Sequence, residues 1–174
     1  MKRLLLLLAL LTAVPGAAQT GGDASPRVWP AIWGVQAIEE GRYLRGAAED
    51  GEGGRRKLLF LCNNARQLIV MGLWGDAEPQ AIVDRIGSVA ILVDAAPEPA
   101  ISREAAAPFA ANGNVFSIAR IEDGLFRRML EARAIGFAWI DGGGGRIAGF
   151  QLDMTGGRAP LAAFARDCNS ERYP

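Results

Sequence analysis

The chain is 174 residues long, 50% of it hydrophobic, and its 19 basic residues are balanced by 19 acidic ones. That balance argues against a nucleic-acid binder or an anionic-membrane binder, since either would need a concentrated basic surface. There is no histidine, which excludes Ser-His and Cys-His nucleophile pairs and removes the commonest zinc ligand.

The opening residues, MKRLLLLLALLTAVPGAAQT, set Lys2 and Arg3 before an apolar run from Leu4 to Leu11, then helix-breaking Pro15 and the small residues Gly16, Ala17 and Ala18. This is the three-part layout of a secretory signal and predicts cleavage after Ala18 or one residue later. The apolar run is well short of the roughly 20 residues that cross a bilayer. No cysteine lies near the junction to carry a lipid. The expected product is periplasmic or secreted, with no transmembrane segment in its mature form. It should have a flexible leader over residues 19–28 and a single β-rich domain over residues 29–174. Removing Lys2 and Arg3 from the 19 basic residues leaves 17 against 19 acidic, a net charge near −2.

In chain order, Trp33, Val35 and Ala37 alternate with more polar neighbours and predict a first strand, with Glu40-Gly41 turning into a second around Tyr43. The polar, glycine-rich stretch from Gly46 to Arg56 reads as an exposed loop. KLLFLCNNARQLIVMGLW is two apolar runs joined by Asn63, Asn64, Ala65 and Arg66, a hairpin whose turn exploits the tolerance of Asn for left-handed backbone angles. Leu58, Phe60 and Cys62 share one face and Leu59 and Leu61 the other, so both strands belong in the middle of a sheet. SVAILVDA, around Ile91, reads the same way. From Asp123 to Arg133 the apolar Leu125, Phe126, Met129 and Leu130 fall at helical spacing, with Ile121 one turn earlier and Asp123 in the N-cap position. IGFAWIDGGGGRIAGFQLDM is a second hairpin. Phe137 and Trp139 share one face of it; Phe150, Leu152 and Met154 share a face of the return strand, and Gln151 and Asp153 point away. RAPLAAFARDC closes the chain as a short helix opened by Pro160, with Leu161, Phe164, Ala165 and Cys168 on one face. The predicted class is α+β, mainly antiparallel β in a sandwich-like sheet, with two short helices packed on it.

Period-two counting puts Cys62 in phase with Leu58 and Phe60, and helical counting puts Cys168 in phase with Leu161 and Phe164. Both sulfurs are aimed at packed faces. In an exported chain a final helix laid over the first hairpin would unite them as a Cys62–Cys168 disulfide; the alternative is two inert buried thiols.

Catalytic chemistry is sparse. With the cysteines committed to each other, no thiolate nucleophile remains, and no motif calls for a cofactor or a metal. Carboxylates could still do acid–base work as a pair flanking one bond. The candidates are Asp94, Asp141 and Asp153, each near the end of an apolar strand, although such aspartates usually form turns. DGGGGR, from Asp141 to Arg146, is flanked by apolar strands and so reads as a hairpin turn and not as a phosphate-binding loop before a helix. Arg120, Arg127, Arg128 and Arg133 cluster about the predicted helix. They are either a docking patch for an acidic partner or a solvated face on which Glu131 pairs with Arg127. Trp29 and Trp33 either recruit a partner at an edge strand or cover the core.

The early Trp, LLFLC followed by a turn and LIVMGLW, then VAILVD with Asp94, a helix before a Gly-turn hairpin, and the closing FQLDMTGGRAPLAAFARDC together resemble small bacterial periplasmic proteins. These are the invasion-associated locus B family and the periplasmic accessory proteins of type VI secretion. The resemblance implies a disulfide-linked, sandwich-like β domain without enzymatic chemistry. The expectation is an exported, non-enzymatic binding or accessory protein whose partner is an envelope protein, with Trp29, Trp33, Arg127 and Arg128 as its contact surface. The rival readings are an inhibitor of an envelope-directed enzyme such as a lysozyme or protease, and a carboxylate-dependent hydrolase.

Overall fold

Each predicted hairpin is the centre of its own sheet. The computed structural model describes residues 27–38, 41–48, 56–94, 96–99 and 108–173. The predicted signal and the leader as far as residue 26 lie outside these described residues. In chain order the elements are β1 (Val28–Trp29), β2 (Ala31–Ile38), β3 (Gly41–Ala48), β4 (Arg56–Cys62), β5 (Leu68–Gly75), α1 (Pro79–Val83), β6 (Ile86–Val93), β7 (Ala96–Pro99), β8 (Phe109–Ala111), β9 (Asn114–Arg120), α2 (Asp123–Glu131), β10 (Ala134–Asp141), β11 (Arg146–Asp153) and α3 (Arg158–Cys168). Sheet A has the order β1-β11-β10-β6-β7 and sheet B the order β2-β3-β4-β5-β9-β8. Every pairing is antiparallel except β1 with β11. The class is therefore α+β, two mostly antiparallel sheets in a sandwich-like arrangement.

The core forms where the inward phases of the two sheets meet. Leu44, Leu58, Phe60, Leu68, Val70, Val115 and Ala119 of sheet B face Val89, Ile91, Ile135, Phe137, Trp139, Phe150 and Leu152 of sheet A, all in one buried cluster. At its centre Gly72 leaves room for the ring of Phe137. Beside it the buried Trp139 indole N–H donates to the Ser117 hydroxyl at 2.7 Å, a bond that joins the sheets and satisfies two polar groups with no access to water. Beyond the reach of sheet A, α3 completes the layer by laying Leu161, Phe164, Ala165 and Cys168 on β2, β3 and β4. Helix α2 buries Leu125, Phe126 and Met129 at the end where Tyr173 sits. The Tyr173 hydroxyl there takes the Leu68 N–H at 3.1 Å and donates to the Ile121 carbonyl.

Several local expectations are revised. A third helix, α1, precedes β6; Pro79 is preset for its first turn, and five residues are too few to show a helical period. Gly46, Ala47 and Ala48, read as the start of a loop, are buried residues of β3. Val28, read as leader, pairs with Gln151 in β1. The left-handed residue of the first turn is Arg66 at φ 54°, while Asn63 braces that turn by accepting the Gln67 N–H on its side chain at 2.9 Å. Asp123 is not the N-cap of α2: Glu122 holds that position, and the Asp123 carboxylate is taken by Arg172 at 2.6 Å. Gln151 points away from the core yet is only 1% exposed.

Candidate binding surface

The three candidate carboxylates hold turns. Asp94, at φ 49°, accepts the N–H groups of Arg133 and Ala134 at 2.8 and 3.0 Å. Asp141, at the opposite end of β10, accepts those of Gly143 and Gly145, each at 2.8 Å, in a turn where Gly144 takes φ 88°. Asp153 lies across β10 from Asp94, since both flank Ala134, and it accepts the Thr155 N–H. The DGGGGR stretch is thus the hairpin turn its flanks predicted. Among the described residues no group of three or more Cys, Asp or Glu side chains is placed to hold a metal ion, and no helix is long and apolar enough to cross a membrane.

Hydrogen bonds from Thr155, its side chain first and its backbone N–H second, lower the pKa of Asp153, aided by the charge of Arg158. Its folded pKa therefore lies below the unfolded value, and the stability it contributes is complete above the ordinary aspartate range near 4. That stability is lost as pH falls through the folded pKa. Asp153→Asn should cost on the order of 1 kcal/mol at neutral pH, a value limited by solvent screening. Urea midpoints taken between pH 3 and 7 should show the variant and the wild type converging in acid; a constant gap across that range would refute the assignment.

The disulfide joins Cys62 to Cys168 across 106 residues with a Cα–Cα distance of 5.5 Å. Cys168 is buried, whereas Cys62, the last residue of β4, is exposed. A shallow cavity of about 240 Å³ beside it is lined by Gly41, Arg42, Cys62, Phe164, Asp167 and Cys168, with Arg42 and Asp167 paired at 2.8 Å.

The four residues proposed as one contact surface are not brought together. Trp29 is stacked between the guanidinium groups of Arg27 and Arg56, at 4.1 and 4.2 Å from the ring centroid. Trp33 is half-buried over Phe60; its indole N–H donates to the Asp153 carbonyl at 2.8 Å, and a Cβ at Gly46 or Gly157 would strike the ring at 2.6 Å. Both tryptophans therefore cover the core. Arg127 and Arg128 are exposed on α2, and among the described residues no interaction joins them to either tryptophan. Arg127 lines a groove of about 370 Å³ with Asp123, Phe126, Leu130, Glu171 and Arg172. The ion pairs there run from Arg172 to Asp123 and Glu122, and the Asp123 hydrogen bond raises the Arg172 pKa. A pair between Arg127 and Glu131 is not formed.

The surface that stands out is one the sequence reading did not assemble. Register and alternation place Tyr43, Arg45, Lys57, Leu59, Leu61, Ile69, Met71, Phe116, Ile118 and Arg120 on the face of sheet B turned away from the core. Its apolar side chains are half-buried in one continuous field, extended by Phe109 stacked on Phe116 at 5.0 Å. Among the described residues, no helix packs on the β4–β5 centre of this face. The charges there have one sign: Arg45, Lys57 and Arg120 are the charged residues of this face, and the six strands of sheet B, whose other charged residues are Arg42 and Arg56 in the core-side phase, contain no carboxylate. The sequence carried a signal for this in the strands that are apolar in both phases, here wet on one side instead of covered on both.

Fold and surface define a disulfide-closed β sandwich with one basic, apolar sheet face. No protein-family model, curated protein or solved structure significantly matches the chain.

Proposed function

We propose that this protein is an exported, non-enzymatic binding or accessory module of the cell envelope, and that it holds an acidic protein partner on the outer face of sheet B. The observation that carries the reading is the pairing of Leu59, Leu61, Ile69, Met71, Phe116 and Ile118 with Arg45, Lys57 and Arg120, with no carboxylate in any strand of the sheet. An apolar field of this kind marks a contact surface, and cations that form no ion pair among the described residues select a partner of opposite sign. The overall charge is balanced, so the positive sign belongs to this face and not to the whole molecule. The secretory layout of the first residues supports export, and a disulfide is compatible with an oxidising compartment.

Cross-linking of the oxidised protein in its native envelope, followed by mass spectrometry, tests the reading. The Met71→Glu, Ile118→Glu double variant should reduce capture of the principal acidic partner at least tenfold, while Arg127→Glu, Arg128→Glu on α2 should leave it unchanged. Loss of capture with the α2 variant alone would move the interface to the helix and defeat the proposal. The identity of the captured protein separates an accessory role from inhibition of an envelope enzyme, since an enzyme would lose activity at stoichiometric dose.

A further inference from the structure

The edges of the two sheets are not equally protected. An exposed edge strand offers unpaired backbone N–H and C=O groups, and proteins blunt such edges with short strands, prolines or charges. In sheet A, β1 has two residues, and β7 has four, of which Pro97 and Pro99 carry no N–H. In sheet B, β8 has three residues. The remaining edge, β2, has eight, AIWGVQAI, without proline or charge, and it carries Ile32 at 64% exposure on its outer face and Val35 at 49% on its inner face. Among the described residues nothing pairs with its free side.

The neighbouring strand supplies a charge. Arg45 pairs with Gly34 of β2, so its side chain lies beside the one position of that edge with no side chain on the outer face. A Cβ at Gly34 would meet nothing within 4 Å. The Arg45 Nε is buried without a hydrogen-bond partner, and among the described residues no carboxylate forms an ion pair with Arg45. A strand added to β2 would place a residue roughly 9–10 Å from Arg45, two interstrand spacings away, which a guanidinium and a carboxylate can bridge between them across the open glycine.

We propose that β2 accepts an extended acidic segment of the partner polypeptide as a seventh strand of sheet B, with Arg45 reaching across Gly34 to a carboxylate of that segment. This rests on the binding-module reading above and names how the partner is held. Backbone pairing would supply affinity, and the side-chain contact would supply selection. A second copy of the chain is a poorer occupant, because β2 contains no carboxylate to set opposite Gly34.

The test uses two labelled ten-residue peptides, one alternating valine with glutamate and one alternating valine with lysine, added to the oxidised protein. The glutamate peptide should bind at least tenfold more tightly by fluorescence anisotropy and should slow amide hydrogen exchange within residues 31–38. Arg45→Gln should weaken it about tenfold. So should Gly34→Val, which has room in the structure and so keeps the fold, but places a side chain in the path of the arginine. Equal binding of the two peptides, no protection of β2, or protection that appears with protein concentration alone would each overturn the proposal. Capture of an acidic envelope partner without protection of β2 would remove strand addition and leave the sheet-face reading standing. Peptide binding at β2 alongside capture that ignores the Met71 and Ile118 changes would do the reverse.

Discussion

Gly136→Ala is expected to destabilise the protein by at least about 3 kcal/mol, enough to remove a large part of the stability of a domain this size. Gly136 lies in the middle of β10, paired with Gln151 on one side and Leu92 on the other. A Cβ there would fall on the carbonyl oxygen of Phe150, 2.7 Å from its carbonyl carbon and 2.8 Å from the Cα of Gln151. These are backbone atoms of a central strand, so no rotamer change can relieve the contact, and β10 and β11 would have to separate. That separation would break the ladder carrying Phe137, Trp139 and Phe150 into the core, which makes the penalty larger than ordinary overpacking. Gly142→Ala, in the hairpin turn where a Cβ meets nothing within 4 Å, is the control and should change stability by less than about 1 kcal/mol. Urea unfolding followed by circular dichroism distinguishes the two. Equal midpoints for both variants would show that the strands are not packed as tightly as described.

The second large effect belongs to the disulfide. For a loop of 106 residues the chain-entropy argument gives at most about 4–5 kcal/mol. The Cys62→Ala, Cys168→Ala double variant should therefore lose several kcal/mol while keeping a cooperative transition, because Leu161, Phe164 and Ala165 still bury α3 against sheet B. Its near-ultraviolet circular dichroism should match that of the oxidised protein, and non-reducing peptide mapping of the wild type should yield one Cys62–Cys168 cross-linked peptide. An unchanged midpoint would mean that the crosslink restrains little in the unfolded chain. An unfolded double variant would mean that α3 does not hold its place through its apolar face.

What was legible in the chain was whatever repeats within a few residues. Two apolar runs around an Asn turn gave the hairpin of Leu58–Met71, period two gave the faces of the hairpin of Phe137–Met154, and period 3.6 gave the helices ending near Glu131 and Cys168, because side-chain direction in strands and helices follows from local geometry alone. Phase likewise put Cys62 and Cys168 on faces that meet. Shorter elements were missed for the same reason: α1 spans five residues and β1 two, too few for a period to show. Asp123 looked like a cap because capping residues are identified by type, but Arg172, 49 positions away, claims its carboxylate.

The candidate surface divides along the same line. By itself the sequence determined that the strands around Leu59 and Met71 are apolar in both phases, that the chain offers no histidine chemistry, and that its charges balance overall. Only the tertiary structure decided that Trp29 and Trp33 are committed to stacking and covering, that Asp94, Asp141 and Asp153 are committed to turns, and that the charges of sheet B are of one sign. It alone decided that β2 is the unprotected edge and that Arg45 stands beside Gly34. The physical reason is that alternation reports which residues share a face, whereas which face meets another layer, and which strand ends a sheet, depend on pairings between residues far apart in the chain.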